Sequence, residues 1–197
     1  MAKLQKSIDK RDALVRATID LVNNNGFHAT PISKIAKLAN VSPATIYLYF
    51  DNKQDLVNKV YVEVKAVFTD YAFKTYSPTM TVEEGFELIW KRIADFKLNQ
   101  TRESLFLAQC DNAPIIDEAS RQAGISHLKP LLDLWHRGKE EGVINEISDY
   151  LLYAYSINPL SFLMVMQQRG VLKIEASDIE QAYQAAWNSI KKCTNNG

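Results

Sequence analysis

Two dipeptides, Thr30-Pro31 and Ser42-Pro43, stand twelve residues apart and constrain the chain more than anything else in it. In each, a hydroxyl residue suited to the N-cap precedes a proline suited to the first helical position. They predict two short helices, about Pro31 to Ala39 and Pro43 to Phe50, with Asn40-Val41 as a tight turn between them. Ile32, Ile35, Ala36 and Ala39 form the inward stripe of the first. An amphipathic helix over 7–25 precedes the pair. Leu14, Ala17, Thr18 and Leu21 repeat at helical spacing, and Asn23-Asn24-Asn25-Gly26 stops it. Asn52 caps a following helix that runs to about Lys74, with Asp55 as its capping-box partner. Two short helices joined by a three- or four-residue turn have helix-turn-helix geometry, in which the second helix enters the major groove of DNA.

A helical wheel on Pro43 to Phe50 sorts its faces at 100° per residue. Ile46 and Phe50 point inward, and Ala44 and Leu48 point out, flanked by Thr45 and Tyr47. The outer face suits a groove. Ala44 lets a helix approach closely, and its methyl, like the Leu48 side chain, can meet a thymine methyl. Thr45 has a hydroxyl for a base or phosphate. Tyr47 and Tyr49 can place hydroxyls on phosphates, which sets register rather than sequence. Ser42 and the N–H groups at the helix start suit another phosphate. Lys53, in the first turn of the next helix, opposes the helix dipole, a placement that makes sense beside a phosphate.

The net charge is zero, but its distribution is uneven. Residues 1–60 carry nine Lys and Arg against five Asp and Glu, a net of +4; the remainder carries 14 against 18, a net of −4. A basic head on an acidic body fits a chain of which one end meets phosphate. Two distant cysteines, Cys110 and Cys193, without a CxxC, fit ordinary thiols in a reducing cytoplasm. No secretory leader is expected at the N-terminus. The most apolar stretch, Leu151 to Met166, contains Ser156, Asn158, Pro159 and Ser161 and is too short to span a bilayer.

Beyond residue 81 the periodicity predicts helices at about 82–99, 102–111, 114–141, 149–168 and 177–193, with kinks at Pro130 and Pro159. Ser148 and Ser177, each followed by Asp, read as N-caps. No strand pattern persists, so the fold class is all-α with about nine helices. The helix at 149–168 is apolar nearly all round, and that at 177–193 carries Ile179, Ala182, Tyr183, Ala186, Trp187 and Ile190 on one stripe. Both are expected to form a homodimer interface as a four-helix bundle. Asp133, His136 and Glu140 share one helix face at i, i+3, i+7, a spacing better explained as a solvated face than as a metal site. No nucleophile-elbow, P-loop or dinucleotide motif is present, so no catalysis and no cofactor are expected.

The segment from Gly26-Phe27 through Thr30, Ile35-Ala36, Ala39-Asn40-Val41-Ser42, Thr45-Ile46-Tyr47-Leu48-Tyr49-Phe50 to Lys53 and Leu56 resembles the DNA-binding signature of the TetR family of regulators. The likeness covers about residues 10–60. It implies a homeodomain-like helix-turn-helix domain, here 1–53, and a ligand-binding and dimerisation domain, here 54–197. It implies DNA contacts at Thr45, Tyr47, Tyr49 and Lys53, with Ser42, Pro43 and Ala44 at the groove-facing helix start. Where many members carry Lys, Arg or Gly, this chain has Pro43-Ala44, so an arginine-to-guanine contact is missing. Lys3, Lys6, Lys10 and Arg11 are candidates for further phosphate contacts. The resemblance also implies a cavity for a small-molecule effector, for which Phe68, Tyr71, Trp90, Phe106, Gln109 and Trp135 are candidates. The function it implies is that of a cytoplasmic repressor on a pseudo-palindromic operator of double-stranded DNA, released by the effector. The alternatives are an all-helical carrier or enzyme, or an activator or chromosome-associated factor of the same fold.

Overall fold

The computed structural model describes residues 2–111 and 113–193, with side chains from Ser7 onward. The basic residues Lys3 and Lys6 therefore lie outside the described side chains. Eleven helical segments are found among the described residues: α1 (Ala2–Asn25), α2 (Ile32–Leu38), α3 (Pro43–Ile46), α4 (Lys53–Phe73), α5 (Val82–Asn99), α6 (Thr101–Cys110), α7 (Glu118–Ser126), α8 (Lys129–Glu140), α9 (Asp149–Ser156), α10 (Pro159–Gln168) and α11 (Ala176–Ile190). The strand content of the described residues is one isolated antiparallel bridge, Ile144 to Lys191.

The two segments beyond the expected nine come from proline. A proline has no N–H and its ring collides with the carbonyl four residues back. The helix expected over 114–141 accordingly ends at Ser126 and restarts at Lys129, with Pro130 in the first turn of α8. The helix expected over 149–168 breaks at Pro159, which opens α10. That second break leaves the Ser156 carbonyl without a helical donor, and a distant side chain takes it: Trp90 Nε1 donates to it at 2.7 Å.

The chain separates into two compact units. The first comprises residues 1–66 and 102–125, the second 67–101 and 126–197. The packing thus groups α6 and most of α7 with the N-terminal helices, a different line from a division after residue 53.

In the first unit α2 packs on α1 and α3 on α2. Leu14, Val22, Ile35, Ile46, Phe50 and Leu56 are among its buried side chains. Polar ties bind later segments to this core. Arg102 Nε meets Asp20 at 2.6 Å, and its Nη2 donates to the Arg16 carbonyl at 2.7 Å. Asn58 and Asp117 exchange two hydrogen bonds, Asn58 Nδ2 to the carboxylate at 2.8 Å and the Asp117 N–H to Asn58 Oδ1 at 3.2 Å. An amide and a carboxylate satisfied in this reciprocal way hold the start of α7 against α4.

In the second unit α5 is central, packing on α8, α10 and α11. Its buried face carries Phe86, Ile89, Trp90 and Ile93. Phe86 and Trp90 meet Tyr183 of α11 with ring centroids 6.4 and 5.7 Å apart. Thr81 and Glu84 cap α5 with a reciprocal capping box. Among the described residues, no helix is long and apolar enough to cross a membrane.

Several helix starts differ from the sequence expectation. Thr30 does not cap α2: its buried hydroxyl turns back to the Gly26 carbonyl at 2.8 Å, and Pro31 takes the cap position. Ser177 lies inside α11, whose capping box is built from Glu175 and Asp178. Asn52 does cap α4, accepting from the Asp55 N–H at 2.9 Å, but the Asp55 carboxylate reaches the N–H of Asp51 rather than that of Asn52. Ser148 caps α9 through the Leu151 N–H. Gly26 takes the left-handed conformation (φ +71°) that ends α1 without a side-chain clash.

Candidate DNA-binding site

The recognition segment is shorter as a helix than its sequence suggests. α3 is a single turn, Pro43–Ile46, opened by Ser42, whose Oγ accepts from the Thr45 N–H at 3.2 Å. Beyond it two bonds run from residue i+3 to i, Leu48 N–H to Thr45 and Tyr49 N–H to Ile46, before the Phe50 N–H returns to the Ile46 carbonyl four residues back at 3.0 Å. The faces nevertheless fall as the wheel sets them. Ile46 and Phe50 are buried at 0% and 2% exposure, while Leu48 is 79% and Tyr47 57% exposed. Ser42, Pro43 and Ala44 are exposed as well, and Thr45 is half-buried. Six of the eight candidate DNA contacts, Ser42, Pro43, Ala44, Thr45, Tyr47 and Leu48, therefore lie on one short outward stretch.

The hydroxyls of Ser42 and Thr45 face each other at 2.9 Å. The pair uses one of its two protons, so one hydroxyl can still donate beside the exposed Pro43, Ala44, Tyr47 and Leu48 side chains.

The other two candidates use their polar atoms inside the protein. The Tyr49 hydroxyl donates to the Ser7 carbonyl at 3.1 Å and lies 2.9 Å from Ser7 Oγ. A phenol has one proton, so this bond and a donation to phosphate exclude each other. Lys53 Nζ donates to the Phe27 carbonyl, just past the end of α1. An ammonium has two more protons to give, so Lys53 can hold that turn and meet a phosphate together. Arg11 pairs with Glu63 at 2.8 Å, and their contact raises the guanidinium pKa further. Ser7 and the Phe27 carbonyl are the site-shaping partners that the sequence reading missed. No sequence signal marks either, because a hydroxyl near a helix start and a loop carbonyl are ubiquitous.

The effector candidates divide between the units. Phe106 and Gln109 belong to the first, Phe106 fully buried and Gln109 donating to the Asn23 carbonyl at 3.4 Å. Phe68, Tyr71, Trp90 and Trp135 belong to the second. Phe68 and Tyr71 both lie against Phe96, with centroids 5.1 and 5.7 Å away. The Tyr71 hydroxyl donates to Asp95, a bond that pushes its pKa up. Tyr71 also borders an open groove of about 490 Å³ with Glu84, Glu87, Leu88, Lys91, Arg92 and Asp95. Trp135 is buried, and its Nε1 has no partner among the described residues; the same holds for the buried Tyr183 hydroxyl of the same unit. Two of the one-face trio of α8 have other partners: Asp133 pairs with Lys129 at 2.7 Å, and His136 Nε2 shares a hydrogen bond with the Asp149 carboxylate at 3.0 Å.

Large apolar side chains stand in solvent along α9 and α10: Tyr150 at 86%, Tyr155 at 58% and Phe162 at 63% exposure, with Leu151 beside them. The apolar stripe of α11, by contrast, is buried within its own chain through Tyr183, Ala186, Trp187 and Ile190.

Two protein-family models match the chain. Residues 14–60 match the model described as bacterial regulatory proteins of the tetR family, and residues 81–191 match the tetracyclin repressor-like C-terminal domain. An uncharacterized HTH-type transcriptional regulator of Haemophilus influenzae is 25% identical over 189 residues, 95% of this chain and 99% of that protein. The fatty acid metabolism regulator protein of Bacillus subtilis is 33% identical over 76 residues, 39% of each chain. Among solved structures, a TetR family transcription regulator from Marinobacter aquaeolei is 26% identical with a TM-score of 0.89, covering 98% of this chain and 100% of that one.

Proposed function

The chain belongs to the TetR family of bacterial transcription regulators, and on that premise we propose that it is a homodimeric repressor that leaves its operator when a small molecule binds. The observation that carries the DNA-binding half is the outward stretch Ser42 to Leu48 on a helix-turn-helix whose core is otherwise complete. Side chains as apolar as Leu48 and Tyr47, exposed at the tip of a recognition segment, fit the floor of a major groove. Ser42, Pro43, Ala44, Thr45, Tyr47 and Leu48 make the contact surface. Lys53 adds a phosphate contact from the edge, and Tyr49 holds the segment to α1.

The dimer reading is supported by the exposed rings of Tyr150, Tyr155 and Phe162, which pack against the same surface of a second copy across a two-fold axis. The interface is made by 149–168 together with the outer face of α11. Two-fold symmetry then presents two recognition segments to a pseudo-palindromic operator. A role on DNA places the protein in the cytoplasm.

The effector reading is supported by the unpartnered Trp135 Nε1 and Tyr183 hydroxyl, since buried polar atoms are nearly always satisfied and a bound molecule can satisfy these. Phe68, Tyr71 and Trp90 belong to the same unit. Residues Lys53–Ala66 of α4 belong to the first unit and Val67–Phe73 to the second. An effector that favours one tilt of α4 changes the spacing of the paired recognition segments and lowers operator affinity.

The test is selection of bound sequences from random duplex DNA, followed by titration of the winning duplex at several salt concentrations. A palindromic consensus with binding that weakens steeply with salt is expected. Enrichment of no sequence, or binding to a single half-site as tight as to the palindrome, overturns the reading.

A further inference from the structure

The free surface of the recognition segment has an unusual chemistry for a reader of DNA. Between Ser42 and Tyr49 the chain holds no Arg, Lys, Asn, Gln, Asp or Glu. Bidentate reading of guanine needs Arg or Lys, bidentate reading of adenine needs Asn or Gln, and cytosine is read by a carboxylate. None of these can come from this segment. The two small hydroxyls in it are already paired, Ser42 Oγ with Thr45 Oγ at 2.9 Å and with the Thr45 N–H at 3.2 Å.

Beside the Tyr47 hydroxyl and the one spare proton of the Ser42–Thr45 pair, what remains outward is apolar: the Pro43 ring, the Ala44 methyl, the Tyr47 ring and, at 79% exposure, the Leu48 side chain. Leu48 gains nothing from the fold, since it lies opposite the buried pair Ile46 and Phe50. One base-edge feature in the major groove is apolar, the C5 methyl of thymine. Ala44 and Leu48 are both exposed on this stretch.

We infer that Leu48 and Ala44 form a thymine-methyl reader, and that specificity at the centre of each operator half-site comes from apolar contact with thymine C5 methyls. The inference rests on the reading that this segment enters the major groove. Leu48 is the specificity-determining residue, and Ala44 sets the depth of approach. The Ser42–Thr45 hydroxyl pair closes the helix start and keeps one proton to give to DNA beside the reader.

The experiment takes the selected palindromic duplex and replaces its thymines one position at a time, symmetrically in both half-sites, by deoxyuridine. That change removes a methyl and leaves Watson–Crick pairing intact. The full-length protein is titrated against each duplex by fluorescence anisotropy at one fixed salt concentration. At the one or two thymine positions read by Leu48, Kd is expected to rise about four-fold per methyl, the worth of one buried methylene-sized group. Leu48→Ala is expected to weaken binding to the thymine duplex by a similar or larger factor. With that variant the uracil-to-thymine ratio of Kd at those positions falls to about one. Its circular dichroism and urea midpoint stay those of the parent, because the side chain is exposed. A conservative Leu48→Met variant retains part of the discrimination.

The inference is overturned if every uracil duplex binds within about two-fold of the parent, if Leu48→Ala keeps the full uracil-to-thymine ratio, or if the selected half-site has no thymine at its centre. Failure to select any duplex overturns instead the groove-binding reading beneath it, so the two failures are distinct.

Discussion

Replacing Tyr49 with Phe removes one oxygen and leaves the ring, its burial and its 6.3 Å contact with Phe50 in place. In the structure that oxygen donates to the Ser7 carbonyl at 3.1 Å and pairs with Ser7 Oγ at 2.9 Å. A neutral hydrogen bond contributes about 0.5–1.5 kcal/mol net. Both contacts are only part-buried, so water recovers some of the loss, and about 1 kcal/mol is expected for the substitution. That corresponds to about a five-fold weaker docking of the first turns of α1 on the recognition segment. Urea unfolding without DNA measures the stability loss, and anisotropy on the selected operator measures the consequence for binding, expected to be a few-fold. Ser7→Ala should reproduce part of both effects, and the double variant should lose less than the sum of the two, as contacting residues do. The opposite pattern refutes the reasoning. If Tyr49→Phe weakens operator binding at unchanged stability while Ser7→Ala does nothing, the hydroxyl acts on phosphate and not on α1.

Three further outcomes follow from the packing and charge of the two units. Gly138→Ala puts a methyl 2.7 Å from Ile144 Cδ1 and 2.9 Å from Val82 Cγ1, both buried. Overpacking costs about 1–3 kcal/mol against a helix gain of about 1 kcal/mol. Thermal denaturation should therefore show a lower Tm, by about 2–4 °C per kcal/mol of net loss; an unchanged or raised Tm contradicts it. Burial, with the Asp111 charge second, pushes the Tyr61 hydroxyl up to about 12. An unfolded tyrosine ionises near pH 10, so the folded state keeps a proton the unfolded chain loses, and stability falls as pH rises from about 10 to 12. Urea midpoints at stepped alkaline pH should fall less steeply in Tyr61→Phe, and an equal slope in both proteins argues against it. Tyr155→Asp with Phe162→Asp places charge on two exposed rings of the proposed dimer face. Light scattering should then report a monomer with operator binding weakened at least ten-fold, whereas a dimer of parent mass moves the interface elsewhere.

The features legible in the sequence were those governed by neighbours within four residues. Ser42 and Ser148 cap their helices through hydroxyls that need only the next turn. The wheel placed Ile46 and Phe50 inside and Leu48 outside, and the bond from the Phe50 N–H to the Ile46 carbonyl keeps that i, i+4 pair on one face. Proline marked both helix breaks, but not the group that takes a carbonyl freed at the second: Trp90, 66 residues from Ser156 in sequence. Long-range placement decided the rest. Thr30 reads as a cap in isolation, yet its hydroxyl is buried and turned to Gly26. Tyr49 and Lys53 read as phosphate donors from residue type alone. Their polar atoms are taken by Ser7 and Phe27, 42 and 26 residues away. The grouping of α6 and most of α7 with the N-terminal helices likewise rests on Arg102 meeting Asp20 and on Asn58 meeting Asp117. A local pattern specifies which way a side chain faces along its own helix; only the folded chain supplies the group that waits there, because a hydroxyl or ammonium binds whichever partner the fold brings within 3 Å.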